Sequence, residues 1–107
     1  MDLSELTAAM HRFVEAKGWY RPDSARPQTL RNLAISLTLE AAEVLEHFQW
    51  GEHPADRQAL AEELADVALY LLQLADRAGI DLEQAILDKL EKNNHRRWEP
   101  PDPAKAS

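Results

Sequence analysis

The chain has no cysteine, three glycines and, in 107 residues, no apolar run approaching the roughly 18 residues that a membrane-spanning helix needs. Without cysteine there can be no disulfide, thiolate ligand or thiol nucleophile, a pattern that fits the cytoplasm and sets that expectation for its location. Basic residues are also few. Twelve Lys and Arg stand against 19 Asp and Glu, for a net charge of −7 and a pI near 5.0. That complement cannot supply the broad phosphate-neutralising surface of a nucleic-acid binder, so no nucleic acid polymer is expected as a partner. Small anionic ligands stay open wherever a metal or a local group of cations offsets the field. The opening MDLSEL is acidic and amphipathic, unlike a secretory signal, and no membrane partner is expected. One domain is expected over residues 1–98, with the Pro-rich EPPDPAKAS of 99–107 as a disordered tail. A chain of this size buries only about two thirds of the surface its unfolded form exposes, which leaves room for stabilisation by another subunit.

What is present is helical periodicity with acids set into it. From Leu33 the text reads LAISLTLEAAEVLEHFQW, breaks at Gly51 to Pro54, and continues ADRQALAEELADVALY to Tyr70. In the first segment Leu30, Leu33, Leu37, Ala41, Val44 and Phe48 recur at threes and fours, which at roughly 100° per residue makes one apolar stripe. Glu40 lies on the edge of that stripe, and Glu43 is one step further round with Ser36 and His47. In the second segment Leu60, Leu64, Val67, Leu71 and Ala75 form the stripe, with Glu63, Asp66 and Tyr70 on one flank. Antiparallel packing of the two helices would bring four carboxylates together. Such charges beside an apolar seam each lose several kcal/mol of hydration and repel one another, unless protonation or a cation compensates. All-oxygen donors favour Mg²⁺, Mn²⁺ or Ca²⁺ over zinc. A single E-x-x-E is usually the rim of a solvated amphipathic helix; two acidic pairs on successive helices carry more weight.

The remaining elements follow from local signals. Asp2 with Glu5 forms a capping pair that opens a helix over about 3–17, closed by Gly18. The segment WYRPDSARPQ, residues 19–28, is a loop whose Trp19, Tyr20, Arg21 and Arg26 suit a base and phosphate groups. Thr29 caps a second helix of about 30–50. Its other apolar set, Ile35, Leu39 and Ala42, lies nearly opposite the main stripe, and in so short a chain this face is expected to meet another subunit. Trp50 at the end of that helix reads as a core anchor or as a wall against which a base stacks. Pro54 suits the first position of a third helix, which reaches about residue 78 before Gly79. Asp81 with Gln84 opens a fourth over about 82–97, with Leu82, Ile86, Leu87 and Leu90 as its core. Lys89, Asn93, Arg96 and Arg97 recur along one side of it, where they complement the helix dipole or contact phosphate groups. The expected architecture is all-α, an antiparallel four-helix domain that packs into an oligomeric helical bundle.

The pattern E-x-x-E, a spacer of about twenty residues, then E-x-x-D resembles the metal-binding signature of the MazG-like, all-α nucleoside triphosphate pyrophosphohydrolases. EAAEVLEHFQW followed by EELADVALYLLQLADRAGIDLEQAILDKLEKN is similar to the branch containing dCTP pyrophosphatases, and Arg31-Asn32-Leu33 matches that family's basic-Asn-Leu. The likeness spans about residues 6–98. Two departures are visible: Pro27-Gln28-Thr29-Leu30 stands where the family has His-x-Pro, and Arg97-Trp98 where it has Arg-Tyr.

The resemblance implies metal-dependent hydrolysis of a nucleoside triphosphate, a pyrimidine one such as dCTP, to the monophosphate and pyrophosphate, in the cleaning of nucleotide pools. It implies Glu40, Glu43, Glu63 and Asp66 as catalytic ligands of Mg²⁺, or of Mn²⁺ in its place. Trp19, Trp50 and Tyr70 would border the base, with Arg31, Lys89, Asn93, Arg96 and Arg97 also on the substrate. A homodimer or homotetramer is implied as well. Two other classes compete. A carboxylate-bridged di-metal bundle adds histidine at Glu-x-x-His spacing, where this chain has Glu43 and Asp66. A non-catalytic helical oligomerisation module explains the apolar stripes but not the acids facing a basic row.

Overall fold

The computed structural model describes residues 1–96, which form α1 (Leu3–Ala16), α2 (Leu30–Glu46), α3 (Arg57–Arg77) and α4 (Leu82–His95). No strand occurs among the described residues, and no helix is long and apolar enough to cross a membrane. Every helix opens on a side-chain cap. Asp2 accepts the Glu5 N–H at 2.8 Å, Thr29 that of Asn32 at 3.1 Å, and Asp81 that of Gln84 at 3.1 Å. Asp56 accepts two, from Gln58 at 3.0 Å and Ala59 at 3.1 Å. Each cap satisfies amides that would otherwise lack partners and is worth about 1 kcal/mol. α1 and α3 both end on a glycine at φ 73°, Gly18 and Gly79. In each case the next N–H reaches back along the helix, Trp19 to the Val14 carbonyl at 3.2 Å and Ile80 to that of Ala75 at 2.8 Å. Only glycine holds that backbone conformation without a Cβ penalty.

Three boundaries differ from the expected ones. α3 begins at Arg57 and not at Pro54, because the Asp56 carboxylate supplies acceptors that a proline at the first position cannot. α2 closes at Glu46, so residues 47–50 form turns and Trp50 is not its last residue. α4 closes at His95, where the extended backbone of Arg96 ends it. Arg97, Trp98 and the 99–107 segment expected to be a tail lie outside the described residues.

α2 packs chiefly on α3, and α1 on α3. The core is Met10, Val14, Leu33, Leu72 and Ala75, with one polar side chain among them, Gln73. Leu33 is the most enclosed, at 2% exposure. Of the expected stripes, Leu37, Val44, Phe48, Leu60 and Val67 are half-buried, whereas Leu30, Ala41, Leu64 and Leu71 remain exposed. The buried face of α3 is rotated toward Leu72 and Gln73 because α1 covers that side. α4 buries no residue: Ile86, Leu87 and Leu90, read as core, are exposed, since within the single chain no second layer covers them. The radius of gyration, 17.3 Å, exceeds the about 13 Å of a compact domain of this length, in keeping with that loosely packed helix.

Candidate functional site

Two polar stripes face each other along the α2/α3 seam. On α3, Glu63, Asp66, Tyr70 and Gln73 fall at i, i+3, i+7 and i+10; on α2, Asn32, Ser36, Glu40 and Glu43 share a face in the same way. Because the helices run antiparallel, the Asn32 end of α2 meets the Gln73 end of α3, and Glu40 and Glu43 meet Glu63. Between the stripes lies a cleft of about 470 Å³, its polar wall made by Asn32, Ser36, Asp66, Tyr70 and Gln73 and its base by Met10, Val14 and Leu33. The 19–28 loop closes one side with Trp19, Arg26 and Gln28.

Carboxylate oxygens of Glu40, Glu43 and Glu63 lie within 4.8 Å of one another, just beyond the Asp66 end of the cleft. Glu63 bears the consequence. Its hydrogen bond with the Glu40 carboxyl, its partial removal from water and the nearby Glu43 push its pKa from 4.5 up to about 8. One oxygen of Glu63, Oε2, is buried with no hydrogen-bond partner. A buried acceptor left unsatisfied among other acceptors costs free energy that a positive ion removes. Three hard oxygens at this spacing fit a divalent cation of the Mg²⁺ or Mn²⁺ type. Asp66, exposed in the cleft wall one turn along α3, stands next to this trio and outside its 4.8 Å cluster.

At the other end, Trp19 is held by the backward bond that ends α1 and by an edge-on contact with Phe13, ring centroids 5.6 Å apart at 85°. The Arg26 guanidinium lies over its ring at 5.1 Å. Trp19, Tyr70 and Asp66 therefore line one cleft. Others do not reach it in the single chain. Trp50, after α2, is 90% exposed and serves neither as core anchor nor as cleft wall. Arg31 is exposed at the start of α2, and Lys89, Asn93 and Arg96 belong to α4 and its cap, none of which lines the cleft. Arg97 is outside the described residues.

Gln28 and Gln73 were not expected in the site, nor the His11 and Asp76 side chains behind them, while Tyr20, expected to face a base or phosphate, instead holds Gln73 and His11. Gln73 carried a signal: it continues the Glu63, Asp66, Tyr70 stripe by three residues, as a lone polar side chain in the apolar run YLLQLA. Gln73 bonds to Tyr20 and Gln28 of the loop, and Tyr20 is held in turn by His11 of α1, itself bonded to Asp76 of α3, so no local pattern links the network.

A family model described as MazG-like matches residues 35–102. dCTP pyrophosphatase 1 of Homo sapiens is 43% identical over 75 residues, covering 62% of this chain and 44% of that protein. Its Mus musculus counterpart is 41% identical with the same coverage. The match thus spans less than half the length of these curated relatives. A pyrophosphatase from Archaeoglobus fulgidus of known crystal structure superposes with a TM-score of 0.72 at 35% identity, over 91% of this chain and 93% of that one. The all-α fold, the paired acidic motifs on facing helices and these matches together show that the chain belongs to the MazG-like family.

Proposed function

We propose that this protein is a nucleoside triphosphate pyrophosphohydrolase that acts in the cytoplasm on a pyrimidine deoxynucleotide such as dCTP, releasing the monophosphate and pyrophosphate. The observation that carries this reading is the joining of two sites on one seam. A carboxylate trio with an unsatisfied buried oxygen lies beside a cleft whose volume falls in the range of small-molecule sites. The similarity to dCTP pyrophosphatases and to an archaeal pyrophosphatase supports it.

Glu40, Glu43 and Glu63, with Asp66 completing the set, hold Mg²⁺, or Mn²⁺ in its place. The bound ion supplies Lewis-acid neutralisation of the triphosphate. The acidic side chains fix the reacting phosphates at one end of the cleft, and a carboxylate oxygen left over from that task orients the attacking water and accepts its proton. Trp19 and Tyr70 border the base. Lys89, Asn93, Arg31 and the arginines at the end of α4 balance phosphate charge. The exposed apolar faces of α2 and α4 fit a homodimer or homotetramer, in which Trp50 and the α4 cations reach a cleft.

The test is release of pyrophosphate from a panel of nucleoside triphosphates with and without Mg²⁺. Turnover of dCTP, dUTP or dTTP that needs the metal, with dATP and dGTP spared, is the expected result. No metal-dependent release from any nucleotide overturns the activity, and equal use of purines overturns the pyrimidine assignment.

A further inference from the structure

The end of the cleft away from the acids carries three carboxamides whose orientations are dictated by partners of fixed polarity. Gln28 Nε2 donates to the Arg26 carbonyl at 2.7 Å, which turns its Oε1 toward Gln73 Nε2, also at 2.7 Å. Asn32 Nδ2 donates to the Pro27 carbonyl at 3.0 Å. The other N–H of Gln73 is directed at the Tyr20 hydroxyl oxygen, 3.3 Å away. That hydroxyl stands 2.5 Å from His11 Nδ1, and His11 Nε2 stands 2.6 Å from the Asp76 carboxylate. A carboxylate only accepts. Asp76 therefore fixes a proton on Nε2, and the Tyr20 oxygen accepts from Gln73, whose polarity Gln28 fixes independently. Burial raises the pKa of the Tyr20 hydroxyl above its ordinary value, so it keeps its proton.

Gln73 is consequently an acceptor that cannot turn over. It is 3% exposed and lines the cleft, both directions of its NH₂ are committed, and no donor among the described residues reaches its Oε1. It lies ten residues beyond Glu63 on the same stripe of α3, about 15 Å along the axis. That separation matches the span of a nucleotide from its phosphates to the far edge of its base.

We propose that Gln73 Oε1 reads the far edge of the base and selects one bearing an amino group, as cytosine does, over one bearing a keto oxygen at that position, as uracil and thymine do. The proposal rests on the reading that the cleft holds the base of a nucleotide. An amino group gives the cleft-facing oxygen a donor. A keto oxygen sets two acceptors against each other, and the network from Asp76 to Gln28 prevents the amide from turning to relieve it. Sites built to pair a specific ligand N–H discriminate far more strongly than apolar pockets that sense only size. Asn32, with an N–H likewise committed, leaves an oxygen of the same sign in the cleft wall.

Two measurements test this on the full chain. One is the ratio of kcat/KM for dCTP and dUTP at fixed Mg²⁺; the other is calorimetric binding of dCMP and dUMP, which needs no turnover. The parent is expected to prefer the cytosine member about tenfold or more in both. Gln73→Met should bring the ratio close to one, a change of about tenfold for loss of a buried hydrogen bond. Gln28→Met, at a half-buried position that tolerates change more readily, should also narrow it, because the Gln73 amide is then able to turn and donate to a keto base. If Gln73→Met does not fold, Gln28→Met decides. A parent that binds dUMP as well as dCMP overturns the proposal, as does a folded Gln73→Met or Gln28→Met variant with the parent's ratio. If no triphosphate is hydrolysed while dCMP is preferred and the variants erase that preference, the proposed activity falls and the role of Gln73 stands. Hydrolysis without preference for the amino base gives the reverse.

Discussion

Glu63 on α3 and Glu40 on α2 meet across the antiparallel seam with carboxylate oxygens inside a 4.8 Å cluster that Glu43 completes. Their encounter keeps a proton on Glu63 up to about pH 8 in the absence of a cation. The same encounter makes a site in which a divalent ion can replace that proton, so metal binding and protonation compete for one set of oxygens.

That competition has a sign in stability. The folded-state pKa of Glu63 lies above the unfolded value, about 8 against 4.5. Its contribution to metal-free stability is therefore fully present below pH 4.5 and is lost as pH rises through about 8. Thermal unfolding in chelator between pH 5 and 9 should show the parent losing stability relative to Glu63→Gln, whose side chain does not titrate. Added Mg²⁺ should flatten the difference. Parallel pH profiles for the two proteins would remove the carboxylate trio from the account.

Isosteric loss of charge at the acids should separate function from fold. Glu63→Gln and Asp66→Asn should lower metal-dependent turnover by more than the about 10- to 100-fold typical of losing an outer-shell partner of a metal, while helicity by circular dichroism stays near the parent's. Full activity in either variant would exclude that side chain from the metal site.

Leu39 is 59% exposed on α2, on the face that also presents Ile35. Leu39→Asp should leave the single-chain core intact and dissociate an oligomer, seen by analytical ultracentrifugation. A parent protein that sediments as a well-folded monomer at micromolar concentration would refute the assembly.

Trp50 and Lys89 are both exposed, so replacing them should alter catalysis and leave the melting temperature almost unchanged. Trp50→Ala should raise KM for a pyrimidine deoxynucleotide about 10- to 100-fold, the worth of a stacking contact, with a smaller fall in kcat. Lys89→Ala should cost about 2 kcal/mol in kcat/KM, the scale of a lost charged hydrogen bond. Parent-like kinetics in Lys89→Ala would return the α4 cations to a role in complementing the helix dipole.

Helix number, three of the four caps, the two closing glycines and the acidic pairs are legible in the chain, because periodicity, capping and turn formation act over a few residues. Asp2, Thr29 and Asp81 cap their helices as local reasoning expects, and Glu40, Glu43 and Glu63 converge once the stripes of α2 and α3 face each other. Helix ends were less legible: Pro54 read as the start of α3, and the Asp56 carboxylate, by capping Gln58 and Ala59, sets that start at Arg57. What only the tertiary structure decided is which face of α3 is covered. α1 lies on the side of Leu72 and Gln73, so a glutamine and not the expected Leu71 enters the core. The hydrogen-bond chain from Asp76 through His11 and Tyr20 to Gln73 and Gln28 joins residues up to 65 positions apart. Periodicity reports the environment of one helix at a time; the polarity of a buried amide is set by partners from three segments, and those partners exist only after the segments have packed.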